Sequence, residues 1–144
     1  MGDDNAAANK ATARRVLELI SGYEFEQALG LLAPEAIWSE FGRVHHPKDT
    51  LLRDWEFLKS RLDTNGMSMT VRDAIAEGNR VAITADEKAT TVEGRTYSNA
   101  FTFWFTVEDG LVTAVDQYHD SHMALTTIRA GDGWRDYSGN GEGR

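Results

Sequence analysis

The 144-residue sequence predicts a single α+β domain in which a curved antiparallel sheet, backed by helices, encloses a small-molecule pocket. Three observations predict it. Apolar residues recur at helical spacing in the first half of the chain, while the second half holds four long alternating segments joined by short glycine-bearing loops. With 41% hydrophobic and 10% aromatic residues and no cysteine, an ordinary packed core is available and no disulfide is needed.

The helical elements come first. Ala13, Val16, Leu17 and Ile20 form one amphipathic face. Ser21 and Glu24 have the spacing of a capping box, and Phe25, Ala28, Leu29 and Leu32 make a second, shorter face that Pro34 is expected to end. A short strand, Ala36–Phe41, follows. His46-Pro47 opens a third helix, in which Leu51, Trp55, Leu58 and Leu62 share a side, and Asn65-Gly66 closes it.

The strands are Met67–Glu77, Arg80–Thr91, Arg95–Val107 and Leu111–His119, which is the order of an antiparallel meander. Asp120 or Ser121 then caps a last helix running through Ile128. The ends read as flexible tails. Residues 1–8 are polar and alanine-rich, residues 9–129 form the domain, and 130–144 carry five glycines among charged residues, with Trp134 and Tyr137 as candidates to dock.

A net charge of −8, with scattered Lys and Arg, argues against a nucleic-acid partner. No apolar run reaches the roughly 20 residues of a membrane span, and Met1–Asn9 lacks a signal-peptide core, so a cytoplasmic location and no membrane partner are the expectations.

Strand alternation assigns faces. Tyr97, Asn99, Phe101, Phe103 and Phe105 share the more apolar face of their strand, which is taken as the inner one. If Gly94 and Gly110 each end a three-residue loop, Thr91 faces Arg95 and Val107 faces Leu111. Rows then run Ile83–Phe103–Val115, Ala85–Phe101–Gln117 and Glu87–Asn99–His119, an aromatic floor passing into a polar line. The same parity puts Trp104, Val112 and Tyr118 outside as an apolar patch, which predicts a homodimer.

Tyr97-Ser98-Asn99-Ala100-Phe101, the hairpin Glu108-Asp109-Gly110-Leu111-Val112, and Gln117-Tyr118-His119-Asp120-Ser121 resemble the nuclear transport factor 2-like superfamily over residues 10–130. The resemblance includes its SnoaL-like polyketide cyclases, ketosteroid isomerase and limonene epoxide hydrolase. It implies a cone-shaped, strongly curved sheet wrapped around N-terminal helices. Glu40 is similarly placed to the isomerase's carboxylate base, but Arg15 and Phe101 fall where that enzyme keeps its tyrosine and protonated aspartate. Glu87 is similarly placed to one catalytic aspartate of the epoxide hydrolase, with Ala85 and Gln117 in place of its partners.

The expected chemistry is cofactor-free proton transfer (isomerisation, cyclisation or dehydration) on a hydrophobic carbonyl or polyketide-like substrate. Glu87 or Glu40 is the base, His119 the second acid–base group, and Asn99 with Tyr97 the polar clamp. Phe101, Phe103, Gln117, Trp38 and Trp55 are the expected substrate-binding walls. His45, His46 and His122 show no metal-ligand spacing, so neither a metal nor a cofactor is expected. The rival reading is a binding or dimerisation domain, which Gln117 favours because Gln cannot exchange protons.

Overall fold

The computed structural model describes residues 2–128, with side chains from Asn5 onward. Three helices and six strands alternate along the chain: α1 (Gly2–Ser21), α2 (Phe25–Gly30), β1 (Leu32–Glu40), β2 (Val44–Pro47), α3 (Lys48–Arg61), β3 (Leu62–Glu77), β4 (Arg80–Thr91), β5 (Thr96–Glu108) and β6 (Leu111–His119). One short turn of helix, α4 (Ser121–Met123), and a π-helical turn, Ala124–Ile128, follow them. The strands form one sheet in the order β2-β1-β6-β5-β4-β3. Every pairing is antiparallel except β1 with β6, which is parallel.

The core fills the concave side. Leu17, Val16, Leu32, Ile83, Val81, Phe105, Val107 and Val115 are among the largest fully buried side chains. The alternation that predicts the inner face of β5 is fully expressed: Tyr97, Asn99, Phe101, Phe103, Phe105 and Val107 are buried, and the residues between them are not. Sheet pleating requires this once one face is covered by helices.

Several expected boundaries shift for identifiable reasons. Helix α1 begins at Gly2, so residues 2–8, expected as a tail, extend a helix rich in alanine, the best helix former. The tail expected at 130–144, with Trp134 and Tyr137, lies outside the described residues. The Ser21–Glu24 capping box does not form. Glu24 itself is the N-cap of α2, and the Ser21 hydroxyl donates to the Glu18 carbonyl at 3.0 Å. Pro34 lies inside β1, where the pairing to β6 is irregular between Leu32 and Ile37, a place where a missing N–H is tolerated. Gly66 lies inside β3 at φ 78°, within a stretch of shifted register, and the helix has already ended at Arg61. Strand β2 was not anticipated. It follows a turn in which Phe41 and Gly42 take φ of 58° and 64°, and it pairs His46 with Trp38 and Val44 with Glu40.

The register between β4 and β5 is as expected: Ile83 faces Phe103, Ala85 faces Phe101 and Glu87 faces Asn99. The three-residue loop there is real, with Thr91 N–H donating to the Arg95 carbonyl and Gly94 at φ 84°. The β5–β6 register is corrected. Asp109 and Gly110 both take positive φ (52° and 79°), which makes a two-residue hairpin with Glu108 opposite Leu111. A bulge follows, because Val107 pairs with Val112 but Thr106 with Ala114. Loop and bulge together displace β6 by two residues and leave its parity intact. His119 therefore faces Phe101 and Gln117 faces Phe103, and His119 does not share the Glu87–Asn99 row. The two-residue loop sets Val112 opposite the inward Val107, so Val112 is fully buried and leaves the expected outer patch, whereas Trp104 and Tyr118 are exposed as expected.

Candidate active site

The sheet's concave face and the helices enclose a cavity of about 350 Å³. Its walls are mostly apolar: Leu17 and Ile20 from α1, Leu51, Trp55 and Leu58 from α3, Met67 and Met69 from β3, Trp38 from β1, and Tyr97, Phe101 and Phe103 from β5. The polar groups gather in two places. Glu40, Gln117, His119, His46 and Asp54 lie on the side of β1, β6, β2 and α3, and Glu87 lies on β4. A few polar groups in an apolar concavity of this size are what a small-molecule site requires.

The first group is a hydrogen-bonded chain. Trp38 Nε1–H donates to Gln117 Oε1 at 2.6 Å. An indole can only donate, so this contact fixes the orientation of the Gln117 amide and aims Nε2 at Glu40 Oε1 (3.5 Å) and His119 Nδ1 (3.3 Å). Nδ1 must then be the acceptor, which leaves the His119 ring proton on Nε2, 4.0 Å from Glu40 Oε1. The His119 ring is clamped between Phe41 and Phe101, each 4.9 Å away by ring centroids. On its other oxygen Glu40 meets His46 Nε2 at 3.0 Å, and His46 Nδ1 lies 3.5 Å from Asp54 Oδ2. Both Asp54 oxygens are sealed from solvent with no hydrogen bond among the described residues, and Arg53 Nε lies 3.5 Å from Oδ1.

The second group is a contrast. Glu87 is 5% exposed, between Met69 on β3 and Asn99 on β5, and burial pushes its carboxyl up to about 7. Removing a carboxylate from water without a compensating charge favours the neutral acid. Tyr23, held at φ 63° after α1, feels this carboxyl. Its phenol is raised by burial, then by Asp63, then by Glu87.

A family model for the SnoaL-like domain matches residues 13–115, which is most of the chain. The protein belongs to the SnoaL-like domain family. Comparison with curated protein sequences gives no match. Among solved structures, a Jannaschia sp. CCS1 protein named for the SnoaL-like polyketide cyclases superposes with a TM-score of 0.73 at 16% identity, covering 88% of this chain and 94% of that one. An epoxide hydrolase from M. tuberculosis, described as limonene-epoxide-hydrolase-like, gives 0.71 at 13% identity, with coverages of 88% and 92%. A Kribbella flavida DSM 17836 protein named for the ketosteroid isomerases gives 0.65 at 19% identity, with coverages of 81% and 80%. At these identities the likeness is one of fold, and that fold carries several chemistries.

Within this SnoaL-like domain, Glu40, Glu87, His119, Gln117, Tyr97, Trp38, Trp55, Phe101 and Phe103 all line the cavity. Asn99 does not, which corrects its expected place in the polar clamp. Its amide donates to the Tyr97 hydroxyl at 2.8 Å and to the Asp120 carbonyl at 3.0 Å, and its oxygen accepts the Asp120 N–H at 3.0 Å. It orients Tyr97 and ties the end of β6 to β5. Asp120 then caps α4 by accepting the Met123 N–H at 3.1 Å, the role its position predicts. Two site residues escaped the sequence reading. His46 is read from sequence only as the opening of the third helix, although Val44 and His46 alternate as an inward-facing strand face. Asp54 sits one residue before the inward Trp55 on α3, where helical spacing alone gives no reason to turn a carboxylate toward the pocket.

Proposed function

We propose that this SnoaL-like domain is a cofactor-free acid–base enzyme acting on a hydrophobic carbonyl or polyketide-like compound by isomerisation, cyclisation or dehydration. One observation carries the proposal: a single apolar cavity holds two glutamates in opposite environments, Glu40 surrounded by hydrogen-bond donors and Glu87 buried, with its carboxyl pushed up to about 7. Pairs of carboxyls driven apart in this way divide naturally into base and acid. Glu40 is the base. It takes the proton next to the substrate carbonyl while His46 and Gln117 hold its oxygens in place, and His119, 4.0 Å away, is the second acid–base group. Glu87 is the acid, protonated in about half the molecules near pH 7 and able to donate to the enolate oxygen. Phe101, Phe103, Trp38 and Trp55 hold the apolar body, and exclusion of water strengthens each polar contact.

Exchange of the α-protons of 2-tetralone in D2O, followed by proton NMR, tests the proposal without a known substrate. Wild type should accelerate exchange, and Glu40→Gln should remove about 10²–10⁴-fold of it. Binding of the ketone without any accelerated exchange would favour the non-catalytic binding domain. We also propose a homodimer through the outer sheet face, where Trp104 and Tyr118 are each 41% exposed. Sedimentation should show a dimer that Trp104→Glu splits, and a wild-type monomer at micromolar concentration would refute it.

A further inference from the structure

Among the described residues, three of the side chains around the cavity are carboxyls (Glu40, Asp54 and Glu87), and none is a lysine or arginine. His46 and His119 are the only other ionisable side chains facing it that carry positive charge when protonated, and both already engage Glu40. Glu87 has no hydrogen bond or ion pair to any described side chain, is 5% exposed and points into the cavity. Among the described residues no fixed cation is therefore available to receive an anionic ligand group, and Glu87 is itself an acid.

We propose that the cavity rejects ligands bearing a free carboxylate or phosphate, so that the substrate enters without a free acid, as a ketone, ester, lactone or amide. The inference rests on the same cavity being the substrate site. The physical reason is like-charge repulsion in a poorly solvated space. A ligand carboxylate about 6 Å from an ionised Glu87, at an effective dielectric constant near 20, loses about 100-fold in affinity. Protonating Glu87 relieves the repulsion, so rejection is weaker in acid. The step before this one must accordingly remove or mask any acid of the precursor, by decarboxylation, esterification, amidation or lactonisation.

The test uses one apolar body with three head groups: 2-acetylnaphthalene, 2-naphthylacetate and 2-naphthylmethylamine. Trp38 and Trp55 both line the cavity, so quenching of tryptophan fluorescence, checked by calorimetry, reads binding. At pH 8 the ketone should bind wild type, with the carboxylate about tenfold weaker, because the roughly one molecule in ten still protonated at Glu87 binds it without repulsion. Lowering the pH to 6 should strengthen carboxylate binding about tenfold. The groups around Glu87 on its neighbouring elements are Asn99 and Tyr97 on β5, Met69 on β3 and Tyr23 after α1, whose phenol is raised further above the neutral range by burial. His46 and His119 also face the cavity, so Glu87→Gln isolates the glutamate: it should raise carboxylate affinity at pH 8 about tenfold and flatten the pH response. Carboxylate binding within threefold of the ketone would overturn the proposal, as would an amine bound as weakly as the carboxylate or a Glu87→Gln variant with unchanged discrimination. If no probe of any charge binds, the cavity is not the substrate site, and the proposed function falls with it.

Discussion

Glu40 and Glu87 are the same residue type lining the same cavity, and the fold treats them oppositely. Glu40 sits at the end of β1 beside a hairpin turn, where the imidazole of His46 and the amide of Gln117 both reach its oxygens. Glu87 sits in the middle of β4 with Met69 on one side and Asn99 on the other, and Asn99 spends its amide elsewhere. The difference lies in the neighbours that topology delivers. The β1–β6 junction gathers polar side chains from β1, β2, β6 and α3, while β4, between β3 and β5, receives mostly apolar ones. Burial alone raises one carboxyl to about 7, and hydrogen bonds hold the other in place.

The largest expected effect separates the two in catalysis. Glu40→Gln should abolish base catalysis by about 10²–10⁴-fold, and Glu87→Gln should cost about tenfold, since water or His119 can still supply a proton. Equal losses in the isotope-exchange assay would remove the division of roles.

The next effect is on stability. A carboxyl raised from 4.5 to about 7 in the folded protein binds more protons folded than unfolded between those values, so its contribution becomes less favourable as pH rises through that window. Above pH 7 the penalty is complete, at about 3 kcal/mol; below 4.5 it is absent. Chemical denaturation at pH 5 and pH 8 should therefore show wild type losing about that much more than Glu87→Gln over the interval. Parallel pH curves for the two proteins would contradict the assignment.

Two smaller effects sharpen the comparison. Asn99→Ala removes the amide that bonds the Asp120 backbone and the Tyr97 hydroxyl, and it should cost about 1–3 kcal/mol in denaturant melts. Trp38→Phe removes the donor that fixes Gln117. It should cost about 1 kcal/mol for the lost hydrogen bond and free the amide to rotate, which a broadened Gln117 side-chain NMR signal would report.

Most of the fold was legible because the strands are long and strictly alternating. Face assignment on β5 and the β4–β5 register followed from Tyr97–Val107 and Gly94. The β5–β6 register was not legible, because Asp109-Gly110 is compatible with loops of two or three residues. A bulge at Thr113 is a property of the assembled sheet and leaves no local signature. Parity survived the error, so Gln117 and His119 were still placed inside. Asn99 was placed on the correct face and given the wrong task, because alternation says where a side chain points and not which backbone lies within its reach. His46 was missed because β2 is a four-residue strand, too short for its alternation to stand out, and Asp54 because it lies on α3 beside, and not on, the apolar stripe that marks the inward face.

The central claim is that Glu87 is an acid near neutrality while it lines the same cavity as Glu40. It is tested most directly by carboxyl ¹³C NMR of protein labelled at glutamate, with Glu87→Gln used to assign the resonance. The Glu87 carboxyl should titrate at about 7, and addition of 2-acetylnaphthalene should shift it. A Glu87 resonance that titrates in the ordinary carboxylate range near 4.5, or that ignores the ligand, would contradict the account.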